Sequence, residues 1–153
     1  MVADRVREFL DEQRIKYVTI RHSIAFTAQE IAASAHISGR EIAKTVIIWL
    51  DDKLAMAVLP ASKRVSLDEV RRIVGSNRVE IADEVDFVDL FPGCEVGAMP
   101  PFGNLYGMEV YLDPSLAEDD AIAFNAGSHT ELLRMEFDDF LDIVKPKILA
   151  MTV

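Results

Sequence analysis

Apolar and polar residues alternate along the chain with two different periods, and the switches between them mark out the elements. Val2, Val6, Phe9 and Leu10 recur at helical spacing, which predicts an amphipathic helix over 2–13. "YVTIRH" (17–22) reads as a short strand. Thr27 and Glu30 have the spacing of a capping box and open a predicted helix to about Ala35, with Gly39 in the loop beyond. The run from Val46 to Leu50 is apolar at every position, as in a strand buried on both faces. A turn at 51–53 sends the chain back through "LAMAVLP" (54–60) as a hairpin partner that stops at Pro60.

"SLDE" (66–69) is a second capping box, opening a helix to about Val74 that ends at Gly75. A strand follows at 78–82. Asp83 caps "EVDFVDLF", which Pro92 and Gly93 terminate. The segment 94–107 is a loop broken by glycine and proline. Strands are predicted at 108–113, 121–127 and 131–136, and Asp138 and Asp139 start a last helix that stops before Pro146. Strands outnumber helices and come as hairpins interrupted by single helices. The expectation is one α+β domain over 1–153, with a mixed or antiparallel sheet curved around one core.

Composition narrows the classes. Half of the residues are apolar and 27% are charged, an ordinary globular balance. No run of about 18 uncharged apolar residues predicts a membrane helix, and the single cysteine, Cys94, cannot form an internal disulfide. These features predict a cytoplasmic protein without membrane contact. The net charge of −10 argues against a non-specific DNA or RNA binder. Its distribution is uneven: residues 38–78 carry 8 basic and 5 acidic side chains, whereas 79–142 carry 1 and 16. A polyanion would approach over 38–78, where Lys63, Arg64, Arg71, Arg72 and Arg78 are the candidate contacts.

Standard chemistry is missing from the sequence. Cys94 has no histidine nearby, and Ser128 and His129 are adjacent, so they point apart in extended backbone. His22, His36 and His129 lack metal-ligand spacing, and no phosphate-binding glycine motif occurs. Neither a metal nor a cofactor is expected. Three features remain. Lys44 stands at the mouth of the apolar strand, on the face of Val46, Ile48 and Leu50. A lysine there either reaches water or waits for an anion, because its charge is costly to desolvate. "GAMPPFG" (97–103) can bring backbone close to a polar ligand. "FNAGSHT" (124–130) runs from a strand into a small-residue turn, where Asn125, Ser128 and His129 can line a cleft.

In this order, "AKTVIIWLDDKLAMAVLP", "VGAMPPFG" and "FNAGSHTELLRM", preceded by "HSIAFTAQEIA", resemble the YbaK/prolyl-tRNA-synthetase-associated domain family from about residue 15 to about 145. The resemblance implies a curved, mostly antiparallel sheet or barrel with helices around it. It also implies a free-standing aminoacyl-tRNA deacylase, cleaving the ester of a mischarged tRNA with help from the tRNA ribose hydroxyl. The partner would be the tRNA 3′ aminoacyl end, with contact to an aminoacyl-tRNA synthetase allowed. The family's strand lysine matches Lys44, and its GxxxP loop matches Gly97 through Pro101. Backbone N–H groups of Gly97 and Ala98 become candidate oxyanion donors. Thr27, Met99, Pro101, Phe102, Asn125, Gly127, Ser128 and His129 become candidate substrate contacts, with Met99 and Phe102 either sieve walls or loop packing. The loop departs from the pattern by a second proline, Pro100. A non-catalytic module binding an aminoacyl or nucleotide-like ligand would use the same groups and stands as the alternative.

Overall fold

The computed structural model describes residues 3–22, 30, 33 and 39–153. Thr27 and His36 lie outside them, as does the predicted helix over 27–35 apart from Glu30 and Ala33. The described strands form two sheets. In the first, β1 (Tyr17–Arg21), β7 (Glu131–Glu136) and β6 (Ala121–Asn125) lie in the order β1-β7-β6, all antiparallel. In the second, β4 (Val79–Ile81), β2 (Ala43–Leu50), β3 (Lys53–Pro60), β5 (Glu109–Leu112) and β8 (Lys147–Ile148) follow the order β4-β2-β3-β5-β8. The β2–β3 hairpin is antiparallel with Lys44 opposite Leu59, while β3–β5 and β5–β8 are parallel. The fold is therefore α+β and mixed.

The apolar run of β2 has the two-sided burial its sequence requires. On one side, Ala43, Ile47 and Trp49 join a core that contains Phe102, Phe124 and Phe140. Helices α1 (Asp4–Glu12) and α4 (Phe137–Val144) supply Val6, Leu10, Phe140 and Val144 to it. Phe102 packs edge-on against Phe9, Phe124 and Phe140, with ring centroids 6.2, 5.5 and 5.8 Å apart. On the other side, Val46, Ile48 and Leu50 pack with Ala57, Leu59 and Met151, and with Val70 of α2 (Leu67–Val74).

The predicted caps at Ser66 and Asp83 both form, with one difference in the first and a shorter helix after the second. Ser66 accepts the Glu69 amide at 3.3 Å, and Gly75 ends α2 in the left-handed conformation. The Glu69 carboxylate does not reach back; it pairs with Arg72 at 2.6 Å, since a full charge is the stronger partner. The helix after Asp83 is shorter than its pattern, with α3 (Glu84–Phe87) tightening into a 3₁₀ turn at Val88–Leu90. Asp86 there accepts from the Asp83 amide at 3.0 Å and the Trp49 indole at 3.2 Å, tying this corner to β2. β8 was not foreseen, because a two-residue strand has no period to read.

Candidate active site

Lys44 is held by the β2–β3 hairpin and is half-buried. Among the described residues no carboxylate lies within ion-pair range of it. Its charged form is disfavoured first by burial and then by the nearby Arg64, so its pKa falls below the ordinary lysine value. Two cations on one side, with no counter-ion for Lys44 among the described residues, make a local concentration of positive charge that attracts anions.

The position of Lys44 relative to the other sheet follows from one bridge. Ile42 pairs with Ala123 in parallel, and the two share a small apolar cluster with Leu132. Lys44 and Asn125 each lie two residues beyond that bridge on their own strands, each on the face of its bridge residue. The Asn125 Oδ1 is buried and has no hydrogen-bond partner among the described residues. An unmade bond of this kind costs about 1–3 kcal/mol, which is sensible where a ligand supplies the donor.

Asn125 also leads into the turn that carries the other candidates. The loop 95–98 and the turn 127–129 are laced together. Glu95 donates its amide to the Gly127 carbonyl at 2.9 Å, and Gly127 donates its own to Ala98 at 2.7 Å. His129 Nε2 lies 2.7 Å from the Val96 carbonyl, so that nitrogen carries the proton. Gly97 has φ +84°, and a Cβ there would stand 3.3 Å from the His129 ring. Gly127 has φ +110° and is 3.1 Å from the Ala3 amide on the same measure. Both glycines are thus fixed by conformation and by close approach.

Several candidates have other partners. Ser128 is buried, with its hydroxyl 2.8 Å from that of Thr130 and accepting the Thr130 amide at 3.1 Å. It shapes the turn and forms no relay with His129. The Ala98 amide donates to the Glu95 carbonyl at 3.0 Å. Among the described residues the Gly97 amide donates only to the Met99 sulfur, at 3.3 Å, and sulfur is a weak acceptor. Met99 and Pro101 are buried beneath the loop, and Phe102 is fully buried in the aromatic core. Phe102 therefore belongs to the core rather than to a pocket wall. Arg71, Arg72 and Arg78 pair with Asp68, Glu69 and Glu80, which leaves Lys63 and Arg64 as the more available cations among the described residues, Arg64 being close enough to act on the Lys44 charge. A groove of about 700 Å³ lined by Trp49, Leu54, Tyr106 and Tyr111 lies at the far end of β2. Five strand residues, about 17 Å, separate it from Lys44.

Fold and site together define an α+β domain that presents a lysine without a counter-ion among the described residues and a glycine-laced loop. Residues 22–143 match the aminoacyl-tRNA editing domain, and the chain belongs to that family. The multifunctional Ser/Thr-tRNA deacylase ProXp-y of Escherichia coli (strain K12) is 33% identical over 94 residues, covering 61% of this chain and 56% of that protein. The proline--tRNA ligase of Bacillus cereus (strain AH187) is 26% identical over 89 residues, 58% of this chain and 16% of the ligase. The chain thus spans about half the length of the first relative and a small part of the second. Among solved structures, one described as a candidate trans-editing enzyme for prolyl tRNA synthetase superposes with a TM-score of 0.82 at 21% identity, covering 97% of this chain and 95% of that one. The hypothetical protein APE2540 gives 0.85, also at 21% identity, covering 98% and 100%. At these identities the structures establish the fold.

Proposed function

We propose that this protein is an aminoacyl-tRNA deacylase that hydrolyses the ester between a small, wrongly attached amino acid and the 3′-terminal ribose of a tRNA. The observation that carries the reading is Lys44: a half-buried cation beside Arg64, without a counter-ion among the described residues. A phosphate or ribose oxygen at the tRNA end completes that site. The Gly97 amide, exchanging the weak Met99 sulfur for the developing oxyanion, supplies the electrostatic stabilisation. The Ala98 amide would first have to leave Glu95, so it is the poorer donor. Asn125 Oδ1 accepts from the bound end, and Gly127 to His129 hold the loop. The ester is already activated, so positioning a water against it, with the adjacent ribose hydroxyl, suffices; orientation can contribute roughly 7–11 kcal/mol. Editing of this kind answers a physical limit. A synthetase pocket gains only about 1–3 kcal/mol per methylene and needs a second, smaller sieve.

The test is amino-acid release from a panel of alanyl-, cysteinyl-, seryl- and threonyl-tRNA. Seryl and threonyl esters are included because the E. coli relative is named for them. Rapid hydrolysis of one or two esters above the spontaneous rate is expected. Binding of the same tRNAs without turnover would replace the enzyme with the binding module.

The acidic surface sets a second expectation. With Lys44, Lys63 and Arg64 as the main phosphate contacts, log affinity should fall with log salt at a slope near −2, about −0.7 per single-strand contact. A slope steeper than about −5, measured by filter binding between 50 and 200 mM salt, would require a larger basic surface than this.

A further inference from the structure

On Lys44's side one backbone bridge joins the two sheets among the described residues, Ile42 with Ala123. The sheets also share the core through Ala43, Ile47 and Phe124, and that one bridge is the backbone contact that relates the Lys44 strand to the strand leading into the Asn125–His129 turn. Glu41 and Arg134 span this joint. Arg134 lies in β7 directly opposite Ala123, so Ile42, Ala123 and Arg134 form one line across three strands. The guanidinium holds the carboxylate with both arms, Nε to Oε2 at 2.9 Å and Nη2 to Oε1 at 3.2 Å. The Glu41 side chain is 16% exposed and that of Arg134 40%, so the pair is partly shielded from water. Two-point contact fixes angle as well as distance.

The sequence makes the pairing unusual. Arg134 is the one basic residue between 79 and 142, among 16 acidic ones. Glu131 and Glu136 flank it on its own strand, and Glu131 meets Arg21 instead. Arg134 reaches a carboxylate 93 positions away, three residues before Lys44. General solubility does not require a base at that point; a joint does.

We propose that Glu41 and Arg134 form a positioning clamp that keeps the Lys44 strand in register with the Asn125–His129 turn, so that both meet the same aminoacyl end. The proposal rests on the deacylase reading of the site. Neither residue touches the substrate; each acts through Lys44. Without the clamp β2 is still held along its length by β3, so the domain folds while the joint opens.

The experiment uses the full chain with Arg134→Gln, Glu41→Gln, Arg134→Lys, and the reversed pair Glu41→Arg with Arg134→Glu. Thermal melting first establishes that each variant is folded. Two readouts follow: kcat and KM on the ester that the wild type cleaves best, and titration of the Lys44 ammonium by NMR with carbon-labelled lysine. Either single glutamine variant should lower kcat about tenfold or more with KM within about twofold, as expected for a displaced group. Arg134→Lys, with charge but one arm, should fall between, and the reversed pair should recover most of the rate. Opening the joint hydrates Lys44, so its titration should move up towards the ordinary value in the single variants and back in the reversed pair. Unchanged kcat in folded single variants, or an unmoved Lys44 titration, overturns the clamp. The titration needs no substrate. A wild type that cleaves nothing defeats the deacylase reading, while the hold on the Lys44 strand still stands or falls by NMR.

Discussion

Lys44→Met should lose roughly 10²–10³-fold in kcat/KM and at the same time melt higher than the wild type. The first half follows from the role proposed for the ammonium. A fixed charge aimed at a developing or bound anion in a shielded site is worth that factor when removed. The second half follows from burial. Lys44 has no counter-ion among the described residues, and both burial and Arg64 disfavour its charge. Its folded-state pKa lies below the ordinary 10.5, so between those two values the unfolded chain binds more protons than the native one. Stability then rises with pH through that window. At neutral pH the charge is present in both states and opposes folding. Methionine keeps the stem's packing and removes the charge, so the free protein should gain. Activity should move the other way with pH, falling as the ammonium deprotonates below 10.5, once spontaneous ester hydrolysis is subtracted. A Lys44→Met protein that melts lower than the wild type would mean that the ammonium has a stabilising partner, and the anion-site argument would fail.

The local elements were largely legible in the sequence, and the reasons are local. The β2–β3 hairpin, the Ser66 cap, the Gly75 stop and the breaks at Pro92 and Gly93 each depend on a few neighbouring residues. The face of β2 that carries Lys44 was legible too, because a strand's side chains alternate. Pairings between distant segments were not. Nothing in residues 109–112 says that β5 runs parallel to β3, and nothing near Glu41 announces Arg134. Phe102 illustrates the limit within the site. Beside "GAMPP" it reads equally as a pocket wall or as loop packing, and its ring's contacts with Phe9, Phe124 and Phe140 place it in the core. The amides of Gly97 and Ala98 looked equivalent as donors. Their acceptors, a sulfur and a carbonyl, separate them. One signal was present and is readable in hindsight: a lone arginine in a long acidic stretch.

The largest stability effect of a small change should come from Gly103→Ala. Gly103 follows Phe102 and opens the 3₁₀ turn Gly103–Leu105. Its backbone is outside the left-handed region, so alanine meets no conformational penalty there. Space is the obstacle. A Cβ would stand 2.5 Å from the Met108 carbonyl oxygen and 2.6 Å from Val110 Cγ2. The first of these is backbone and cannot rotate away. The Gly103 carbonyl also accepts from the amides of Tyr106 and Met108, both at 2.9 Å, so a shift that relieves the contact strains those bonds. Overpacking costs about 1–3 kcal/mol, and a weakened hydrogen bond about 1 more. For a domain of this size each kcal/mol lowers Tm by about 2–4 °C, so a fall of roughly 5–15 °C is expected. Gly93→Ala is the control. That glycine has φ +80° and nothing within 4 Å of its would-be Cβ, so it tests left-handed strain without crowding, about 1–2 kcal/mol. Because Phe102 moves with Gly103, the loss should spread through the ring cluster to Phe124 and so to Asn125, the next residue of β6. Deacylation by Gly103→Ala should accordingly fall by more than its folded fraction alone accounts for. A variant that melts within about 2 °C of the wild type would show that β5 yields to the new methyl group, and would remove this route from the core to the site.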